Sequence, residues 1–315
     1  RPTDRTMTGE HTTEDGRSEA VDQRGILDRI RASPFLSDLL SNRLAVIGLL
    51  IIVFMVLVAL YARFVISLGY ITQSQIGVIP NLAPPTMAYP FGTNLQSQNI
   101  YLRVLYGSWL ALKWGTIIVG ASTLLGISLG IVAAYYGDLT DNVIMRTMDV
   151  LLAFPSLLLA LALVAIFGTG LSKVAIALTL VYTPRFARVV RGAALKVLED
   201  EFIDSTIALG ATDARVLIRH VLPNTLAPIT VQSTLNFGLA IIDLAALSFL
   251  GFGAETGTPS WGLMLANGVE QGLLTGKWWW SFFPGLFLAV TVLGFNLLGD
   301  GMRDALDPRM RETVD

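Results

Sequence analysis

The chain has 315 residues, 53% of them hydrophobic and only 15% charged, with a mean hydropathy of +0.61, which is the balance of a polytopic membrane protein rather than a water-soluble domain. A net charge of −2 offers no bulk basic field, so no nucleic-acid partner is expected. The lack of cysteine excludes disulfides, thiolate zinc sites and cysteine nucleophiles together.

The first 43 residues mix seven arginines with eight acids, unlike a secretory signal, whose short basic region runs straight into an apolar core. Residues 1–32 are expected to be a cytoplasmic tail, disordered up to about residue 22. In "GILDRIRASPFLSDLLSNR" a short amphipathic helix is expected at the membrane surface, with 33–43 as its interfacial segment. The membrane domain follows over 44–306, and 307–315 is a second cytoplasmic tail.

A helix needs about 20 mostly apolar residues to cross the hydrocarbon core. Six stretches qualify: 44–64, uncharged as far as residue 62; 104–136, long enough to tilt and carrying Lys113; 143–167; 171–190; 226–250; and 282–298. The fold class is therefore all-α, a polytopic membrane protein with six transmembrane helices.

Cations set the orientation. With the amino terminus inside, cytoplasmic segments hold the seven tail arginines and Arg146, Arg185, Arg188, Arg191, Lys196, Arg215, Arg219, Arg303, Arg309 and Arg311. The outer side holds only Arg63, Arg103, Lys113, Lys173 and Lys277, so both termini are expected in the cytoplasm. Two long outer loops, 67–103 and 251–281, are rich in Gly and Pro and large enough to gate a path or meet an external protein; a structured cap without a partner is the alternative. "KWWWSFF" (277–283) is expected at the outer interface, where aromatic belts collect.

Between the fourth and fifth spans lies a polar stretch, "DSTIALGATDARVLIRHVLP". Glu199, Asp200 and Glu201 precede it, where acids complement the start of a helix dipole. Phe202, Ile203, Ile207 and Leu209 give a partial helical stripe, and Gly210 ends the helix in a left-handed conformation. Thr212 is placed to cap a second helix, Pro223 to stop it, and Asn224 to cap the next span. The product is a short helix across the cytoplasmic face, suited to transmitting movement from a soluble partner; an ordinary amphipathic connector is the other reading.

This stretch resembles the cytoplasmic loop of permease subunits of ATP-binding-cassette (ABC) importers, patterned E-A-A, three residues, G, nine residues, I, one residue, L-P. Asp204, Ser205 and Thr206 stand at E-A-A, Gly210 at the glycine, His220 at the isoleucine, and Leu222 and Pro223 at L-P. "RFARVVRGAAL", "ALSFLGFGAETGTPSWG" and "NLLGDGMRDALDPRMR" extend the likeness to most of the chain and make it similar to the C-type permeases of dipeptide, oligopeptide and nickel importers, the DppC/OppC group. The resemblance implies the type I ABC importer transmembrane-domain fold. It implies a coupling loop at 199–223 whose helix docks on an ATPase through Glu201, Phe202, Asp204, Ser205, Thr206, Ala208, Leu209, Gly210 and Ala211. It also implies a homologous B-type permease, cytoplasmic ABC ATPase subunits and an extracytoplasmic binding protein as partners, and a multi-pass place in the bacterial cytoplasmic membrane. One region departs from the group: where F-G-T-D-x-x-G-R-D is common, this chain has "FGTNLQSQN", with Asn94, Ser97, Gln98 and Asn99 at the altered positions.

Polar residues inside spans are costly, an Asp at a helix centre by about 2.5–3.5 kcal/mol. Gln232, Asn236 and Asp243 are spaced by four and seven and share one helix face, which Lys113 and Asn296 could join. That face reads either as a wall of a translocation path or as interhelical hydrogen bonding. Gly126-x-x-x-Gly130 reads as helix packing, and Asp149 as the local partner of Arg146. His11 and His220 stand alone and read as solvated or packed.

No G-x-x-x-x-G-K-[ST] occurs, since Trp278 follows Gly276 and Lys277, and H-E-x-x-H is missing too. No catalytic residue, metal site or cofactor is expected in this chain; ATP and magnesium belong on separate ATPase subunits. The leading reading is a permease subunit of an ATP-driven importer forming half of a path for di- or oligopeptides or similar solutes. The rival is a self-contained secondary transporter or channel, with Asp243 and Lys113 as its candidate ion-coupling site.

Overall fold

The computed structural model describes residues 39–306. The readings for the tail 1–32 with His11, for most of the interfacial segment 33–43, and for 307–315 lie outside them. Among the described residues the chain is helical, with only isolated bridges such as Thr93 to Asn99 and no strand.

Helix α1, Arg43–Val65, is about 35 Å long at 1.5 Å per residue, enough to cross a bilayer core. Asn42 starts it, its Oδ1 accepting from the Leu44 and Ala45 amides. The short α2, Leu68–Thr72, and an ordered segment lead to α3, Ile100–Tyr136. Then come α4, Asp138–Leu152; α5, Ser156–Phe167; α6, Leu171–Leu198; α7, Glu201–Ala208; and α8, Asp213–Val216. After a wider π turn, Leu217–Val221, the chain continues as α9, Leu222–Phe249; α10, Trp261–Asn267, and α11, Trp279–Leu306, complete it.

The bundle is built on α3 against α6. A Cβ on Gly126 would lie 2.2 Å from Phe186 Cβ, and one on Gly130 2.6 Å from the Ala187 carbonyl oxygen. Both glycines thus let the two backbones meet, as the small-residue spacing predicts. The central apolar core lies along this seam, with Ile118, Leu178, Tyr182, Phe186 and Leu247 buried. Helix α1 rides on α11 through Gly48, Gly294 and Gly301 and keeps a broad apolar face exposed, as a lipid-facing helix does.

Among the described residues, four helices are long and apolar enough to cross a membrane: α1, α3, the run Asp213–Phe249, and α11. The sequence reading of six spans is corrected at 143–167, which is not one helix. There α4 and α5 meet at 96°. Pro155 has no amide to donate, and its ring disfavours helical geometry at Phe154. Only if this bent pair is one span does the number reach five. Helix α6 has the length of a span, but Lys173, Arg185, Arg188 and Arg191 make its composition too polar, and most of its apolar side chains are buried among its neighbours.

Two further expectations change. Pro223 does not stop the helix after Gly210, and Asn224 does not cap a new one. The π turn, in which the Leu222 amide reaches the Leu217 carbonyl, accommodates the proline, and the helix runs on to Phe249. Asn224 Nδ2 donates instead to the His220 carbonyl at 2.7 Å. The outer segment 251–281 is not a loop throughout, since it contains α10. Within "KWWWSFF" only Trp278 and Phe282 face outward, whereas Trp279 and Trp280 are buried beneath the segment that holds Phe91.

Candidate functional site

Helix α7 stands apart from the spans at the end of α6. It is anchored by Ile203, which is fully buried among Val190, Ala194, Val197, Val216 and Val221. Its stop is a Schellman motif: the Gly210 amide donates to Ile207 O at 2.9 Å and the Ala211 amide to Thr206 O at 3.3 Å. Gly210 has φ +83°, and nothing lies within 4 Å of where its Cβ would be, so conformation alone requires glycine there. Ser205 and Thr206 turn their hydroxyls back to Glu201 O and Phe202 O. Glu201, Asp204 and Ala208 face solvent, and Ala211 is half-buried.

Anchored on one side, α7 leaves Phe202, Ile207 and Leu209 exposed, Leu209 by 89%. Ile218, from the π turn, adds a fourth exposed apolar side chain. The ring of His220 meets Phe202 edge to face at 6.1 Å, so it is packed, as a lone histidine should be. The corner is tied to α3 as well. Tyr135 donates to Asp213 Oδ1 at 2.9 Å and Tyr136 to Oδ2 at 3.4 Å, across the start of α8. Thr212 occupies the capping position there without a side-chain capping bond.

The polar row on α9 divides. Gln232 Nε2 donates to Asn236 Oδ1 at 3.1 Å, and Asn236 is buried. Asn296 approaches the same helix from α11, its Oδ1 3.0 Å from where a Cβ on Gly238 would be. Asp243 lies further along and bonds to α6, where Tyr182 donates to Oδ2 at 2.8 Å. Arg185 stands over the Tyr182 ring at 5.1 Å. Lys113 is exposed and sits 5.0 Å from the Trp114 ring, apart from the groups around Asp243. The structure thus brings Gln232, Asn236 and Asn296 to the α9–α11 side, leaves Asp243 in a cluster of its own, and does not form the Asp243–Lys113 pair.

Several partners were not legible in the sequence. Asp149 bonds Arg188 at 2.7 Å, not Arg146, which corrects the local pairing. Asp141 holds Arg191 in a two-pronged ion pair. Both pairs join α4 to α6 across about 40 to 50 residues of sequence, beyond any helical spacing rule, although charges are scarce enough in this chain to have flagged them.

The altered outer segment is a buried scaffold. Asn94 Nδ2 donates to Gln98 Oε1 at 2.8 Å, and Gln98 Nε2 donates to Thr72 O at 2.8 Å. Asn94, Ser97 and Gln98 are all buried, while Asn99 caps α3 by accepting from the Tyr101 amide. Arg103, also buried, donates to the carbonyls of Ile71 and Gly257 and so ties both outer segments together.

The geometry is that of a helical membrane bundle with a short helix held outside it. A chain of the solved MetNI methionine ABC transporter, in inward-facing conformations, superposes with a TM-score of 0.53 at 16% identity, covering 65% of this chain and 97% of that one. That likeness gives the fold, the type I ABC importer transmembrane domain. Residues 126–312 match the model of the binding-protein-dependent transport system inner membrane component, and 34–85 match the N-terminal TM domain of oligopeptide transport permease C. The chain is 42% identical to the dipeptide transport system permease protein DppC of Alkalihalophilus pseudofirmus over 87% of its length and 88% of the relative's. It is 41% identical to DppC of Escherichia coli K12, covering 86% of this chain and 91% of that one. The glutathione transport system permease GsiD of an E. coli strain is 39% identical, over 86% of this chain and 88% of its own. The chain belongs to the family of binding-protein-dependent transport system inner membrane components and is a multi-pass ABC permease subunit.

Proposed function

We propose that this permease forms half of the translocation path of a peptide importer and takes its power from separate ATPase subunits through α7. The observation that carries the reading is the exposed apolar group Phe202, Ile207 and Leu209 on a helix whose other side is anchored by Ile203. An apolar face of this kind on the polar side of a membrane protein suits a groove in a soluble partner. Glu201, Asp204, Ser205, Thr206, Ala208, Gly210 and Ala211 shape that contact. ATP and magnesium bind on the ATPases, and this chain carries no cofactor.

The second half of the path comes from a homologous B-type permease, and an extracytoplasmic binding protein delivers cargo to the outer segments. Both termini lie in the cytoplasm. Gln232, Asn236, Asp243, Lys113 and Asn296 are the polar positions proposed for the path. Di- and oligopeptides are the proposed cargo, because the DppC relatives are named for dipeptide transport. Closure of the ATPase pair on ATP pulls α7, and the Tyr135–Asp213 and Tyr136–Asp213 bonds pass the displacement to α3. Reconstitution into vesicles tests this: uptake of a dipeptide should require both the ATPase subunits and ATP. Uptake without the ATPases would defeat the reading.

A further inference from the structure

We propose that the cavity between α4 and α6 binds the phosphate-bearing headgroup of an anionic membrane lipid, with Arg146 as the cation that receives it. The cavity measures about 400 Å³, and its lining includes Arg146, Arg188, Arg191, Asp141 and Asp149. Both acids are committed: Asp141 to Arg191 and Asp149 to Arg188. Arg146 is exposed and makes no hydrogen bond or ion pair with any described residue, so the cluster is left with one unbalanced positive charge.

The surroundings select a lipid rather than a soluble anion. Arg146 falls three residues after Val143 and four before Val150, on the same face of α4. Val143, Val150 and Leu139 are 58%, 62% and 76% exposed. Helix α4 turns 96° away from α5, so this stripe does not continue the direction of the span. An exposed aliphatic stripe with a free guanidinium is what a helix at the membrane boundary presents, aliphatic groups to acyl chains and the cation to headgroups. A guanidinium also matches phosphate oxygens in a two-pronged geometry that an ammonium lacks. The proposal does not depend on the role of α7; it needs only α4 at the boundary.

Native mass spectrometry of the full-length protein in detergent tests it, with phosphatidylglycerol against phosphatidylcholine of equal chain length. The wild-type protein should retain phosphatidylglycerol by about threefold over phosphatidylcholine. Arg146→Gln should abolish that preference, Arg146→Lys should keep part of it, and Lys196→Gln, on the cytoplasmic end of α6, should leave it intact. Millimolar inorganic phosphate should not displace the lipid. Equal retention of the two lipids, a preference that survives Arg146→Gln, or an equal loss in Lys196→Gln would overturn the proposal. Displacement by inorganic phosphate would assign the cavity to a soluble anion, and loss of the lipid in the assembled importer would assign it to a partner chain; each outcome also overturns it.

Discussion

Gly210 acts through its backbone alone. With open space around its Cβ position, a substitution there meets no neighbour, yet at φ +83° a β-branched residue is strained by roughly 1–2 kcal/mol. Gly210→Val should therefore leave membrane insertion and assembly intact while uncoupling ATP hydrolysis from uptake, read as hydrolysis per peptide imported. Unchanged coupling would reduce the corner to a connector. Ser97 is the opposite case. It holds φ +58° without being glycine, and its buried hydroxyl has no partner among the described residues. Ser97→Gly should raise stability by about 0.5–1 kcal/mol, read as a higher melting temperature by tryptophan fluorescence. The glycine after α7 was legible from local sequence because left-handed geometry has a residue signature. The Tyr182–Asp243 bond was not, because its partners lie 61 residues apart.

At the scale of elements, hydrophobic length located the spans well and their interruptions poorly. The 96° break of α4 from α5 was foreshadowed only by Phe154 and Pro155, and proline misled at 223, where a π turn absorbs it. "KWWWSFF" reads as a belt, but burial of Trp279 and Trp280 depends on the segment around Phe91 that folds over them. The glycines of α3 separate packing from mere composition. Gly126→Ala would press a Cβ against Phe186 and the Ala187 backbone and should cost about 1–3 kcal/mol, whereas Gly120→Ala, with nothing within 4 Å, should be neutral or slightly stabilising. Thermal unfolding in lipid nanodiscs checks both; equal effects at the two positions would mean that α3 and α6 do not meet as described.

At the scale of the molecule, the family and the candidate coupling corner were readable from motif spacing, whereas the contacts that would carry force were not. Those contacts form a connected set: Ile203 roots α7 in the core, Asp213 ties its corner to α3, and Asp141 and Asp149 tie α4 to α6. In the proposed function, an ATPase pulls on this set through α7. The chain has no cysteine, so single thiols can be placed without background. Ile207→Cys and Leu209→Cys, paired with a short thiol-reactive crosslinker in the assembled importer, give the most direct test. A covalent product with the ATPase subunit is expected from both positions, its yield changing when ATP is bound. An importing assembly in which neither position links to the ATPase would contradict it.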